Sequence, residues 1–116
     1  MPARTPEDVH RQFAEAVNAG DLKALAELYP AQGGAAPSRD GLRELLALKP
    51  RITVETRSVV RTGNVALLGS RWRLAGTTPE GRAVTLAGTG TEMVRRQTDG
   101  SWRYVVEPRS TSGLLH

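Results

Sequence analysis

Glu92 is the residue on which chemistry could be built. It lies in residues 82–107, where RAVTLAGTGTEMVRRQ, a Thr98-Asp99-Gly100 turn and SWRYVVE alternate apolar and polar side chains with the period of a strand. That alternation puts Glu92 on the apolar face with Val94 and, across the turn, with Trp102, Tyr104 and Val106. A carboxylate held there loses solvation, which favours its protonated form and suits it to act as general acid, general base or ligand anchor. Pairing with a nearby arginine, or a place at the rim, is the alternative. Acid–base work needs a second polar group, and the sequence offers His10, Ser70 or Tyr104. His10 lies beside the apolar stripe that contains Phe13, and a solvent-facing position is expected for it. Phe13, Trp72, Val94, Trp102, Tyr104 and Val106 could line a pocket for a flat apolar ligand, or form plain core. Glu107 ends the last strand pointing away from Glu92, as a surface acid.

Composition removes several other chemistries. The chain has 116 residues, which fits one domain with one core, and no cysteine, which excludes disulfides and thiolate catalysis. With His10 and His116 as the only histidines, the usual structural zinc sets are absent, and neither a metal nor a cofactor is expected. No window approaches the roughly 20 apolar residues of a membrane span, so the expectation is a soluble, cytoplasmic protein. The formal net charge is +4 and almost all of the positive charge is arginine, since Lys23 and Lys49 are the only lysines among 16 cationic residues. These arginines are dispersed, and five aromatic residues leave little to stack on bases, so nucleic acid is not the expected partner.

The elements that must position Glu92 begin with helices. Thr5-Pro6-Glu7-Asp8 has the cap, the first-turn proline and the acids of a helix start, and Val9, Phe13, Ala16 and Val17 then share a face up to about Ala19. Gly20 supplies the left-handed stop and Asp21 caps a second helix, carrying Leu22, Leu25, Leu28 and Tyr29 as far as Pro30. Residues 30–38, PAQGGAAPS, form a loop. Ser38 or Asp40 caps a third helix with Leu42, Leu45 and Leu46, ending before Pro50.

From Arg51 the period becomes that of strands, and three short turns imply a four-stranded antiparallel meander. Sorting apolar from polar side chains predicts each register. A three-residue turn at Thr62-Gly63-Asn64 sets Ile52 against Leu74, Val54 against Trp72, Val60 against Ala66 and Glu55 against Arg71. A five-residue loop over 77–81 sets Leu74 against Val84 and Trp72 against Leu86. A three-residue last turn with Gly100 left-handed sets Val94 against Tyr104 and Arg96 against Trp102. One face is then Ile52, Val54, Val60, Leu68, Trp72, Leu74, Val84, Leu86, Val94, Trp102, Tyr104 and Val106, with Glu92 among them. Gly88 and Gly90 mark a bulge or bend in the third strand, and a bulge there would turn Glu92 outward. The opposite face carries an apolar patch of Val59, Leu67, Met93 and Val105, bordered by Arg57, Arg71, Arg95 and Arg103. Such a patch points to a homodimer made through the outer sheet face.

This order of elements, with TPEDVHRQFAEAVNAGDLKALAELY and GTEMVRRQTDGSWRYVVEP, resembles the nuclear transport factor 2-like, SnoaL-like or ketosteroid isomerase-like superfamily over residues 5–29 and 39–108. The resemblance implies an α+β fold in which N-terminal helices pack on a curled antiparallel four-stranded sheet, a cone-shaped, cystatin-like α+β roll. It implies a single domain over 5–108, with 1–4 and 109–116 as flexible termini, commonly dimeric and with a pocket between sheet and helices. Its activities range over isomerases, polyketide cyclases, epoxide hydrolases and binding modules. Carried onto this chain, the proton-donating tyrosine of ketosteroid isomerases falls on Phe13, and the strand holding their general-base aspartate has no room in residues 30–38. Their second proton donor corresponds to Glu92. The resemblance therefore implies binding of a small apolar molecule, with polyketide cyclase- or isomerase-type chemistry through Glu92, or a non-catalytic assembly module, as alternatives; steroid isomerisation itself is not expected.

Overall fold

The structure is a computed structural model and describes residues 3–29 and 39–105. The expected loop over 30–38, Val106 and Glu107 lie outside the described residues. Helix α1 spans Pro6–Ala19, and Thr5 caps it reciprocally with Asp8: the Asp8 amide donates to Thr5 Oγ1 and the Thr5 amide to Asp8 Oδ2. Gly20 ends it at φ 66° in the left-handed region. Asp21 then caps α2, Leu22–Ala26, with Oδ1 accepting from the Ala24 amide. This second helix is shorter than expected and stops well before Pro30, yet Leu28 and Tyr29 are still buried beyond its end. Helix α3 spans Arg39–Ala47, which puts position 40 inside its first turn; the other expected cap, Ser38, lies outside the described residues.

Strands β1 (Arg51–Thr62), β2 (Val65–Thr77), β3 (Ala83–Arg96) and β4 (Trp102–Tyr104) form one antiparallel sheet in sequence order. It is curled and unclosed, with the helices packed on one face. Ile52 pairs with Leu74, Val54 with Trp72 and Glu55 with Arg71, as expected, but the reason differs. The first turn has two residues, Gly63 and Asn64, and Gly63 at φ 59° occupies the positive-φ position that a tight hairpin reserves for glycine. The additional residue is in β1, where the register shifts at Arg57 between Thr56 and Ser58. Gly69 opposes Ser58 across this bulge, and a Cβ on it would strike the Ser58 hydroxyl.

The bulge exchanges the two faces of β1 beyond it. Val60 pairs with Leu67 on the outer face and is 62% exposed, whereas Val59 pairs with Leu68, so the expected places of Val59 and Val60 are reversed. The five-residue loop falls at 78–82, one residue later than expected, and Leu74 pairs with Leu86 and Trp72 with Gly88. This slip of two keeps every side chain on its face. Leu86 nevertheless remains 51% exposed, while its partner Leu74 is buried. The last hairpin is as expected: Val94 faces Tyr104, Arg96 faces Trp102, and Gly100 is at φ 86°.

Ile52, Leu68, Trp72, Leu74, Val94, Trp102 and Tyr104 are buried against Val9, Phe13, Val17, Leu25 and Leu42. The outer edge of β4 is tied down from the other side, since the Trp102 amide donates to the Ala3 carbonyl and the Tyr104 amide to that of Leu28. At the opposite edge Asn18 clasps β1: its Oδ1 accepts from the Ile52 amide at 2.7 Å and its Nδ2 donates to the Ile52 carbonyl at 2.9 Å. One side chain thereby fixes the height of α1 over the sheet. Asn18→Ala leaves both groups of Ile52 without these partners and is expected to cost about 1–3 kcal/mol in urea unfolding. A loss under a few tenths would show that water replaces the clasp.

Candidate functional site

Helix α1 carries the first half of the site. Its buried positions are Pro6, Val9, His10, Phe13, Ala16 and Val17, spaced three and four apart, so His10 belongs to the buried stripe. It is 2% exposed, which overturns the expectation of a solvent-facing histidine. The stripe itself held the signal, because position 10 is four residues after Pro6 and three before Phe13.

Strand β3 carries the second half. Its pairing with β2 runs without a break from Val65↔Arg95 to Thr77↔Ala83, so Gly88 and Gly90 introduce no bulge and Glu92 keeps its inward parity. The glycines make room instead. A Cβ on Gly90 would strike Glu92 Oε2 and lie 3.3 Å from Ser70 Oγ, and one on Gly88 would lie 3.0 Å from the Trp72 ring. Glu92 is 8% exposed, and no arginine pairs with it among the described residues.

The two halves meet in a chain of short contacts. His10 Nε2 lies 2.7 Å from Glu92 Oε1, Ser70 Oγ donates to the same oxygen at 2.9 Å, and His10 Nδ1 lies 2.7 Å from Thr56 Oγ1. Ser70 pairs with Thr56 on one side and Gly90 on the other, so a single row of the sheet supplies both hydroxyls and the gap that admits the carboxylate. Strand parity places Thr56 in line with Ile52 and Val54, and Ser70 in line with Leu68 and Trp72. A polar residue at an inward strand position was the signal for both: Ser70 is among the second polar groups expected for Glu92, whereas Thr56 was missed.

These contacts can be satisfied in more than one protonation state. With a neutral imidazole, Nε2–H donates to the carboxylate while Nδ1 accepts from the Thr56 hydroxyl. With an imidazolium both nitrogens donate, and the Thr56 oxygen turns to accept. Neither arrangement leaves one of these buried groups unpaired.

The remaining expected site residues surround it. Phe13 and Tyr104 meet edge to face at 6.0 Å, Tyr29 lies 5.2 Å from Tyr104, and Arg61 sits 4.9 Å over the Trp102 ring. Phe13, Val94 and Trp102 are at most 2% exposed, and Tyr104 and Trp72 are each 7% exposed. A groove of about 610 Å³ runs along the outer side of α1 and α2, and of the expected lining residues only Trp102 borders it. A second depression of about 480 Å³ lies between Arg57, Gly69, Ser70, Thr89, Gly90 and Thr91, and so reaches one member of the network. Among the described residues no group of three or more potential metal ligands occurs, and no helix is long and apolar enough to cross a membrane.

No protein-family model matches the sequence, and no curated protein sequence matches it either. Solved structures do match. A candidate dehydratase from the NTF2-like family of Streptomyces avermitilis superposes with a TM-score of 0.67 at 19% identity, over 84% of this chain and 88% of that one. A candidate ketosteroid isomerase from Shewanella frigidimarina gives 0.65 at 20% identity, over 84% and 87%. A candidate calcium/calmodulin-dependent protein kinase II association domain from Xanthomonas campestris gives 0.68 at 18% identity, over 93% and 95%. At such identities what is shared is the fold.

Burial first, and then the Glu92 charge, pushes the Tyr29 phenol far above its usual range; burial, Tyr29 and Glu92 do the same to Tyr104. These are the chain's two tyrosines. A phenol raised in the folded state stays neutral there while the unfolded chain ionises near pH 10, so stability holds below about pH 10 and falls as pH rises above it. Absorbance of phenolate at 295 nm is expected to appear in one step with loss of the circular dichroism signal. Reversible titration near pH 10 in the folded protein would contradict the burial of both rings.

Proposed function

We propose that this chain, which has the nuclear transport factor 2-like fold, binds a small, largely apolar molecule beside the inner sheet face and moves a proton on it through Glu92 and His10. The observation that carries this reading is the buried 2.7 Å contact between His10 Nε2 and Glu92 Oε1. Burying an ionisable pair on an apolar face is a weak way to gain stability, because desolvation offsets most of the attraction. It is a strong way to obtain a base whose proton has a defined route. Glu92 is the group that takes a proton from carbon, His10 orients its Oε1 and receives or returns charge, and Ser70 and Thr56 hold the two ends. Phe13, Val94, Trp102 and Tyr104 form the wall behind the pair, with Trp72 on the ligand side. The candidate dehydratase and ketosteroid isomerase among the structural neighbours carry names that imply proton transfer at carbon, which agrees with this reading.

A second reading concerns assembly. Val60, Leu67, Met93 and Val105, the last just past the end of β4, form one row across the outer face, with Val60 and Leu67 at 62% and 41% exposure. Pairing this row with its copy in a sheet-to-sheet homodimer covers it, and the association-domain neighbour is consistent with a fold that assembles.

Two measurements test these readings. Exchange of α-hydrogens of small apolar ketones into D₂O is expected to be accelerated by the protein, and Glu92→Gln and His10→Phe are each expected to lose about 10²-fold or more of that acceleration. Unchanged exchange in Glu92→Gln would sink the acid–base role. Light scattering at micromolar concentration is expected to give twice the chain mass, and Leu67→Glu to return it to one. A monomer before mutation would remove the dimer.

A further inference from the structure

The fold gathers arginines that the sequence scatters. On β2, Arg71 and Arg73 alternate with the buried Ser70, Trp72 and Leu74, so they project from the outer face; Arg51 precedes the buried Ile52, and Arg95 follows the buried Val94. Arg57, at the bulge, lines the outer depression of about 480 Å³. All five are exposed, and Glu55 is the one acid at an outward strand position among the described residues. Four of these arginines are contiguous. Arg71 pairs with Glu55, Arg73 with Thr53, and Ala75 with Arg51, and consecutive outward positions of a strand lie roughly 7 Å apart. Arg57, Arg71, Arg73 and Arg51 thus run as one stripe along β1 and β2. Beside it, the outward positions of β3 are Thr85, Ala87, Thr89 and Thr91, a lane of small side chains that leaves the stripe open. The depression lies where stripe and lane meet. Gly69 leaves its floor without a side chain, and Thr89 and Thr91 border it on the side away from Arg57. Arg57 Nη1 donates to Glu55 Oε1 at 2.8 Å, which uses one of the five donors a guanidinium carries.

We propose that this stripe and its depression bind a small compound carrying several phosphate groups, one phosphate seated between Arg57, Thr89 and Thr91 and the next ones over Arg71, Arg73 and Arg51. The site is separate from the His10–Glu92 pair on the inner face and does not depend on its chemistry. Four guanidiniums against one carboxylate leave the stripe net positive, so it attracts a multiply charged anion more strongly than a single charge. A guanidinium offers paired N–H groups that match two oxygens of one phosphate, and a threonine hydroxyl donates to a third. The depression is of the size that small-molecule sites have, between roughly 300 and 1,000 Å³. Nothing on this face stacks on a base, because all five aromatic residues of the chain are buried. Recognition therefore stops at the phosphates, which favours a short phosphate chain over a nucleic acid read through its bases.

Titration calorimetry at constant ionic strength tests this with phosphate, pyrophosphate and tripolyphosphate, and with citrate as a multiply charged anion that lacks phosphorus. Affinity is expected to rise about tenfold or more from phosphate to tripolyphosphate and to exceed that for citrate. Arg57→Gln and Arg73→Gln are each expected to weaken tripolyphosphate binding about tenfold, and Thr91→Val, which keeps the shape and removes the hydroxyl, about threefold. Glu55→Gln removes the carboxylate that competes for Arg57 and is expected to tighten it. Arg11→Gln takes the same charge from the exposed side of α1 and is expected to change nothing. Circular dichroism checks that each variant is folded; should Arg57→Gln not fold, Arg73→Gln and Thr91→Val decide. The proposal is overturned if tripolyphosphate does not bind at millimolar concentration, if citrate binds as tightly, or if Arg11→Gln weakens binding as much as the stripe variants do. A short DNA duplex that binds more tightly than tripolyphosphate also overturns it, because the stripe then serves a nucleic-acid backbone instead.

Discussion

The hydrogen bond between His10 and Glu92 is the constraint around which this structure is arranged. It joins residue 10 on the first helix to residue 92 on the third strand, across the interface that forms the core. An ionisable pair in that position tolerates little error, because a displacement that breaks the contact leaves a charged or polar group buried without compensation. Much of the surrounding structure serves to hold it. The Thr5–Asp8 box sets the start and phase of α1, the Asn18 clasp sets its height over β1, and Gly90 supplies the space in which the carboxylate lies.

The bulge at Arg57 belongs to the same arrangement. Up to Thr56 the first strand keeps its hydroxyl in line with Ser70, which delivers Thr56 to His10 Nδ1. Past the bulge the strand exchanges faces and releases Val60 to the outer side, where it completes an apolar row with Leu67, Met93 and Val105. One irregular residue thereby separates a polar interior site from an exposed apolar surface. Without the shift, the same two-residue turn would set Thr56 against Arg71 on the outer face and take its hydroxyl away from His10.

The chain has the nuclear transport factor 2-like fold, in which helices and a curled sheet enclose whatever side chains the individual sequence places inside. Here those side chains are a carboxylate, an imidazole and two hydroxyls, flanked by two buried phenols and an indole with a free N–H. The set is compact, with no arginine or lysine hydrogen-bonded to the carboxylate among the described residues.

Much of this was written in local chemistry. Thr5, Pro6 and Asp8 determine a helix start, Gly20 and Asp21 its end and the next beginning, and Gly100 the last turn, because capping and positive φ depend on a few neighbouring residues. Alternation alone put Glu92 on the inner face. What the sequence did not determine was the partner: His10 stands 82 positions away, and no local pattern states which inward position of a strand a helix will cross. The same holds for the bulge, since moving one residue from the turn into β1 leaves Ile52, Val54 and Glu55 with the same partners and changes only what lies beyond. Tertiary packing decided both, because the depth at which a side chain is buried and the atom it meets are properties of two surfaces brought together.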